Sequence, residues 1–304
     1  MTETALTRTL RTPESYHLAS SVGLLAMGAH DPCARFVGDT FWWATHTPAG
    51  PGTLSLRCTG GELLAEGYGL GAEWLIERAD AVVGLRDDVQ GFTEMAAAHP
   101  VVARIERAHR GLRLPATGQM FPRLLRAILE QKVTGKEAFR AYAATVRRFG
   151  VPAPGPLPKL WVPPEPARIA AAPYWMFHPF GVEQRRADTL RRAAAEANRL
   201  ERCADAAEAT RRLTAITGIG PWTAAEVVRT VYGDPDAVSV GDYHIPNMVA
   251  WALAGEPRGD DERMLTLLEP FRGHRGRVCV LLAAANMHAP RFGPRLAPRS
   301  FTHF

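Results

Sequence analysis

The sequence predicts an α+β protein, with a small antiparallel sheet at the N-terminal end and a mostly helical remainder. Three observations carry this. The segments TFWWATHT, GTLSLRC and ELLAEGYG are rich in β-formers or alternate in polarity, and Gly, Pro and Asp separate them. From about Glu73 onward apolar residues recur at i, i+3, i+4 and i+7, the helical period. No repeat with a fixed period of roughly 20 to 50 residues interrupts that pattern, so a solenoid is not suggested. The expected organisation is a sheet domain over residues 1–85 and a helical body over 86–304.

Taken in order, a short apolar segment, HLASSVGLLAMG, precedes the strands. EWLIERADAVVGL, GFTEMAAAHPVVARIERAHRG, FPRLLRAILEQ and KEAFRAYAATVRRFG then read as helices. VPAPGPLPKLWVPPEPA carries seven prolines between Pro152 and Pro166. Because helices resume at once, it reads as a structured extended connection inside the helical part. VEQRRADTLRRAAAEANRL, ADAAEATRRLTAI, PWTAAEVVRTVYG, YHIPNMVAWALAG, DERMLTLLEPF and GHRGRVCVLLAAANMHA complete the helices. The basic, proline-containing tail, RFGPRLAPRSFTHF, is expected to be irregular.

At 304 residues the chain can bury a substantial core, and its 46% hydrophobic and 22% charged content is that of a soluble globular protein. No run of about 18 apolar residues occurs, so a membrane span is not expected. MTETALTRTLRTPESY lacks the make-up of a signal peptide, and a cytoplasmic location is expected. Cys33, Cys58, Cys203 and Cys279 form no C-x-x-C pair, which speaks against zinc, an iron-sulfur cluster or a disulfide framework. The net charge is +5, and only three of the 36 basic residues, Lys132, Lys136 and Lys159, are lysine. Arginine's forked donor suits phosphate, so a nucleic-acid partner is permitted; an arginine-rich proteome would give the same count.

The chemistry concentrates in LTAITGIGPWTAAEVV. One helix ends near Ile216, Gly218 and Gly220 can supply the positive φ of a tight reversal, and Pro221 sits where its missing N–H costs nothing. The next helix then presents free N–H groups and a positive dipole end to a phosphate, without reading base sequence. An ordinary helix-helix turn is the competing reading of the glycines. Arg211, Arg212 and Arg229, taken singly, read as solvated helix-face charges. Further on, VSVGDYH places Asp242 directly before an apolar-patterned helix, 22 residues after Gly220. Asp242 reads as an N-cap. A cap also holds a carboxylate at a helix mouth with one oxygen free, so a catalytic role is compatible with it.

Together these residues resemble the helix-hairpin-helix plus Gly/Pro-Asp signature of the DNA glycosylase superfamily, with the hairpin motif over about 205–231. The likeness is greatest to the bacterial 3-methyladenine DNA glycosylase II group. RGLRLPATGQMFPRLLRAILEQKVT and EPFRGHRGRVCVLLAAA extend it, to about nine-tenths of the chain. The resemblance implies a base-excision-repair hydrolase that flips and excises alkylated purines from double-stranded DNA. It assigns Thr217, Gly218, Ile219, Gly220 and Thr223 to the DNA backbone and Asp242 to catalysis. It places Trp222, Tyr243 and Glu226 at the base pocket and Gln131 and Lys132 at the emptied stack. It further implies a monomer, associated with the nucleoid when bound, that requires no cofactor beyond a sodium or potassium ion at the 217–220 carbonyls.

A carboxylate beside the sugar would stabilise an oxocarbenium-like transition state, and an alkylated purine, already cationic, leaves without a second acid. Bifunctional members carry a lysine where Trp222 stands. Tryptophan cannot form a Schiff base, so a monofunctional enzyme is expected. Trp222 is read as a stacking surface for a flipped base, with core packing as its other reading; the same split applies to Tyr243. Three positions depart from the resembled group: Glu226 replaces an aromatic residue, a small residue near Ala283 replaces a tryptophan, and Lys132 replaces a wedging leucine. Glu226 would either attract a cationic base or face solvent. Two other functions stay open: a monofunctional glycosylase for another damaged base, and a non-catalytic DNA-binding protein that keeps the hairpin as a phosphate clip.

Overall fold

In the computed structural model, which describes residues 5–290, the chain begins with a strand that its own composition does not advertise. This is β1 (Leu6–Arg11), followed by α1 (Leu18–Val22), β2 (Ala34–Val37), β3 (Thr40–Thr47), β4 (Gly50–Thr59) and β5 (Glu62–Tyr68). All five strands form one antiparallel sheet ordered β1-β5-β4-β3-β2. Three of them were expected; β1 and β2 were not. LTRTLR is an edge strand that keeps most of its side chains in solvent, and ARFV is only four residues long. Pairing supplies what the pattern lacks: β1 lies along β5, with Leu6 opposite Gly67 and Arg11 opposite Glu62. Between β4 and β5 the chain reverses at Gly60 and Gly61, at φ +60° and +82°, the left-handed pair that a two-residue hairpin favours. Phe41, Leu54, Leu56, Leu63 and Ala65 bury one face of the sheet against α2 (Ala72–Glu77) and α3 (Ala79–Val82).

The helical body opens with α4 (Phe92–Ala97) and α5 (Pro100–Ala108), two helices where one continuous pattern was read, because Pro100 starts a new helix. Then come α6 (Met120–Leu129) and α7 (Gly135–Phe149), followed by the proline-rich segment. That segment is extended as expected, but it lies against the sheet instead of staying within the helical part. Its short strands β6 (Val151–Pro152) and β7 (Trp161–Val162) pair with each other, Trp161 N–H donates to Pro32 O at 2.9 Å, and Thr53 Oγ1 donates to Pro154 O at 2.7 Å. Leu160 and Val162 bury against Ala44 and Trp42.

After α8 (Pro166–Ala171) and a 3-10 turn at Tyr174–Phe180 come α9 (Gln184–Ala195), α10 (Ala197–Leu200), α11 (Ala206–Thr214), α12 (Pro221–Val231), α13 (Ile245–Ala254), α14 (Asp261–Leu268) and α15 (Arg275–Ala284). The tail expected to be irregular, residues 291–304, lies outside the described residues.

Two apolar cores fill this body. One joins α6, α7, α9, α11 and α12 around Leu124, Ile128, Leu190 and Val227; the other joins α4, α5, α13, α14 and α15 around Val249, Met264 and Leu281. The segment from Ala237 to Val240 crosses between them, with Ala237 in the first core and Val238 and Val240 packed on the second. Asp242 therefore lies just past the seam between the two cores. Among the described residues no helix is long and apolar enough to cross a membrane.

Candidate active site

α11 and α12 are joined by the turn 215–220, and its two glycines differ. Gly218 sits at φ +99°, and a Cβ there would come within 2.1 Å of Thr189 Oγ1, so both backbone and space demand glycine. Gly220 sits at φ −106° and ψ −176°, with nothing within 4 Å of an added Cβ. Positive φ was expected at both; only Gly218 needs it, because the Gly220 backbone is already extended for entry into α12. Pro221 occupies the first turn, and the first bond closing the helix runs from Ala224 N–H to Gly220 O at 3.1 Å. The N–H groups before it are those that a helix start leaves without intrahelical partners.

The turn is braced from α9 and from the turn that follows α6. Arg192 Nε donates to Thr217 O at 3.2 Å. Gln131 Nε2 donates to Gly218 O at 3.1 Å and to Thr223 Oγ1 at 2.8 Å. Two expectations change as a result. Gln131 was placed at an emptied base stack, but its amide is committed to the hairpin. Thr223 was placed at the DNA backbone; its side chain is buried and takes the Gln131 amide, so a contact there would run through its backbone N–H and not its hydroxyl. Lys132, next to Gln131, is exposed and held at φ +53°, an uncommon conformation for a residue with a side chain. The carbonyls of Thr217, Gly218 and Gly220 already accept from Arg192, Gln131 and Ala224. A sodium or potassium ion at these carbonyls would share Thr217 O with the Arg192 guanidinium, and no step is routed through one.

Asp242 faces the hairpin helix. Oδ1 accepts the N–H groups of His244 at 2.7 Å and Ile245 at 2.9 Å, so the carboxylate does cap the start of α13. Oδ2, expected to be free, accepts the indole Nε1–H of Trp222 at 2.8 Å. Trp222 is half-buried and is thus neither a core residue nor an unengaged stacking plate. Tyr243 is 77% exposed, its ring against His244 at 4.9 Å, so it is not a core residue.

Glu226 requires the largest correction. It neither faces solvent nor offers a free charge to a cationic base: its side chain is 15% exposed, and its carboxylate is divided among three donors. Arg123 approaches Oε2 at 2.6 Å; Arg229 and the Ser239 hydroxyl, the latter at 2.6 Å, share Oε1. Burial alone would raise this carboxyl, but Arg229, Arg123 and Ser239 outweigh it and hold it at about 2. Arg229, read as a solvated face charge, is in fact half of this ion pair. Its guanidinium, disfavoured by burial, is kept charged chiefly by Glu226, with Asp242 contributing. Arg123 also reaches Glu130 at 3.2 Å, which Arg126 holds at 3.0 Å. On α15, Ala283 is exposed, whereas Cys279 is buried; burial pushes its thiol up to about 12 against the pull of Arg229.

Neither a protein-family model nor a curated protein matches the chain. Solved structures do. A 3-methyladenine DNA glycosylase from Archaeoglobus fulgidus superposes with a TM-score of 0.78 at 17% identity, over 92% of this chain and 98% of that one. An 8-oxoguanine glycosylase/lyase from Clostridium acetobutylicum gives 0.71 at 12% identity, over 93% and 98%. A 3-methyladenine DNA glycosylase from Schizosaccharomyces pombe, solved with abasic DNA, gives 0.52 at 18% identity, over 65% and 97%.

The fold is that of the helix-hairpin-helix DNA glycosylases.

Within this glycosylase fold, sequence reasoning missed the residues that brace the site: Arg123, Glu130, Arg192, Ser239 and Asp261. Asp261 accepts Gly241 N–H at 3.0 Å. One signal was within reach. Glu226 and Arg229 are opposite charges at i, i+3 on a helix whose other residues from Ala224 to Val231 are apolar or Thr, which marks a pair that must be satisfied inside. Their partners on α6 carried no such mark.

Proposed function

We propose that the chain is a monofunctional DNA N-glycosylase that flips alkylated purines of the 3-methyladenine type out of duplex DNA and hydrolyses their glycosidic bond. The observation that carries this reading is the Trp222–Asp242 hydrogen bond. It leaves an aromatic ring where a Schiff-base amine would have to stand, and it holds a carboxylate at the mouth of the hairpin helix.

In this reading a backbone phosphate docks on the N–H groups ahead of Ala224, with no side chain at Gly220 in the way. The flipped nucleotide then brings its sugar to Asp242, while its base lies along the Trp222 ring. As the C1′–N bond breaks, positive charge develops on the sugar, and the anchored carboxylate stabilises it without having to reorganise. Oδ1 is tied to backbone and Oδ2 to an indole, so the charge is fixed in place before substrate arrives. Water adds at C1′ and gives up a proton to solvent, and the electrons of the broken bond leave with the base. An alkylated purine departs as a neutral molecule and needs no separate acid. Because Glu226 is spent on Arg123 and Arg229, it offers no free charge to a cationic base, which would instead gain a cation–π contact with the Trp222 ring.

The test is release of free bases from DNA treated with a methylating agent, identified by mass, alongside duplexes carrying single deaminated or oxidised bases. Methylated purines should be released and the strand left intact until alkali is added. Release of only other bases would move the substrate class, and release of none would leave a DNA-binding role. A borohydride-trapped protein–DNA adduct would overturn the monofunctional reading.

A further inference from the structure

Asp242 follows a glycine at φ +90° that has open space around it, a backbone poorly suited to fixing a carboxylate by itself. What holds this loop is polar and comes from both sides. On one side Asp261 Oδ1 accepts Gly241 N–H at 3.0 Å. On the other, Asp242 N–H donates to Ser239 O at 3.3 Å, closing the turn on a serine that is fully buried. Ser239 is held in turn: its hydroxyl donates to Glu226 Oε1 at 2.6 Å and accepts Arg229 Nη1–H at 3.3 Å.

We propose that Ser239, gripped by Glu226 and Arg229, is a positioning residue for the Asp242 carboxylate, coupling the loop that carries it to the hairpin helix.

The reason is geometric. Trp222, Glu226 and Arg229 all lie on α12, at successive turns. That one helix therefore touches the 239–242 loop twice, through Trp222 at Asp242 and through the Glu226–Arg229 pair at Ser239. Two attachments to one rigid rod set the position of the loop against the hairpin helix at both of its ends, whereas the bonds from Asp242 to Trp222, His244 and Ile245 hold only the end that carries the carboxylate. Arg123 keeps Glu226 from following the loop if it moves, because it ties the same carboxylate to α6. Buried ion pairs are poor stabilisers compared with apolar side chains of the same volume, so their directional grip is what distinguishes this arrangement from ordinary packing. Asp242 with its bound indole is the part that would touch substrate; Ser239 acts only through it.

The rate arm of the test rests on the glycosylase reading, and a second arm does not. Ser239→Ala removes one hydroxyl from a buried position. The Trp222 indole N–H resonance, assigned by comparison with Trp222→Phe, should shift toward the position of a free indole and exchange faster with solvent. Single-turnover excision of a methylated purine should fall about tenfold or more, with the affinity for the same duplex unchanged, since small misplacements of a catalytic group cost that much. Ser239→Thr keeps the hydroxyl and should restore both signal and rate.

Should the alanine protein not fold, Glu226→Asp serves instead. It keeps the charge balance but withdraws the acceptor by a methylene, and it should give the same signal change and slowing. An unshifted indole resonance, a shifted resonance with an unchanged rate, or a threonine variant as slow as the alanine one would each overturn the proposal. If the parent itself releases no base from any substrate, the glycosylase reading fails instead, and the resonance alone decides whether Ser239 positions Asp242.

Discussion

Trp222 Nε1 and Asp242 Oδ2 lie 2.8 Å apart, across the seam between the two apolar cores of the helical body. The bond joins the first turn of one helix to the carboxylate that accepts the first N–H groups of the next, so the aromatic ring and the carboxylate cannot be positioned independently. Substituting either residue therefore disturbs both.

Asp242→Asn is expected to keep the cap, since asparagine's oxygen can accept from His244 and Ile245 about as well as aspartate's. Its amide would then meet the Trp222 N–H donor to donor, and losing that hydrogen bond should cost about 1 kcal/mol in urea unfolding. Excision in single turnover should slow by about 10²- to 10³-fold, because the charge facing the sugar is gone. A variant as fast as the parent would leave Asp242 as a cap alone.

Trp222→Phe keeps a ring and deletes the N–H, whereas Trp222→Ala deletes both. If orientation of Asp242 matters separately from stacking, the phenylalanine protein should already be slower than the parent, and the alanine protein slower again by the roughly 1 to 3 kcal/mol that stacking a base is worth. Binding to undamaged duplex should be near the parent's in both. Equal rates for parent and phenylalanine protein would remove the hydrogen bond from the mechanism.

The two hairpin glycines should separate stability from binding. Gly218→Ala forces a side chain into Thr189 at positive φ and should lower the melting temperature. Gly220→Val puts its Cβ in open space and should lose little in melting temperature beyond its poorer helix cap, yet bind all duplexes more weakly, because it covers the helix mouth. For the parent, affinity should fall with salt at a log-log slope of about −0.9 per phosphate neutralised. Tight binding by the valine variant would place the phosphate elsewhere.

Acid should release the Glu226 network. Its carboxyl titrates at about 2 in the folded chain against 4.5 for the unperturbed group, so its contribution is fully present above pH 4.5 and is lost as pH falls toward 2. The shift corresponds to about 3 kcal/mol. The stability gap between parent and Glu226→Gln, measured by urea unfolding from pH 7 downward, should be constant to about pH 5 and close below it. A gap that persists at pH 2 would mean that the loss comes from packing instead of charge.

Local chemistry by itself determined a good deal of this protein. Helical and strand periods gave the fold class; Gly218 and Pro221 marked a reversal into a new helix; Asp242 stood at a cap. Each of these depends on conformational preferences within a few residues, which composition and spacing express directly. What only the tertiary structure decided is the set of partners. Trp222 meets Asp242 across 20 residues, Gln131 reaches Gly218 across 87, and Arg123 claims Glu226 across 103, turning an expected pocket acid into the hub of a buried brace. β1 likewise became a strand only because β5 offered it an edge. Which acceptor a long polar side chain finds depends on how distant helices cross and on which charges must be neutralised when water is excluded. No short window of sequence carries that information.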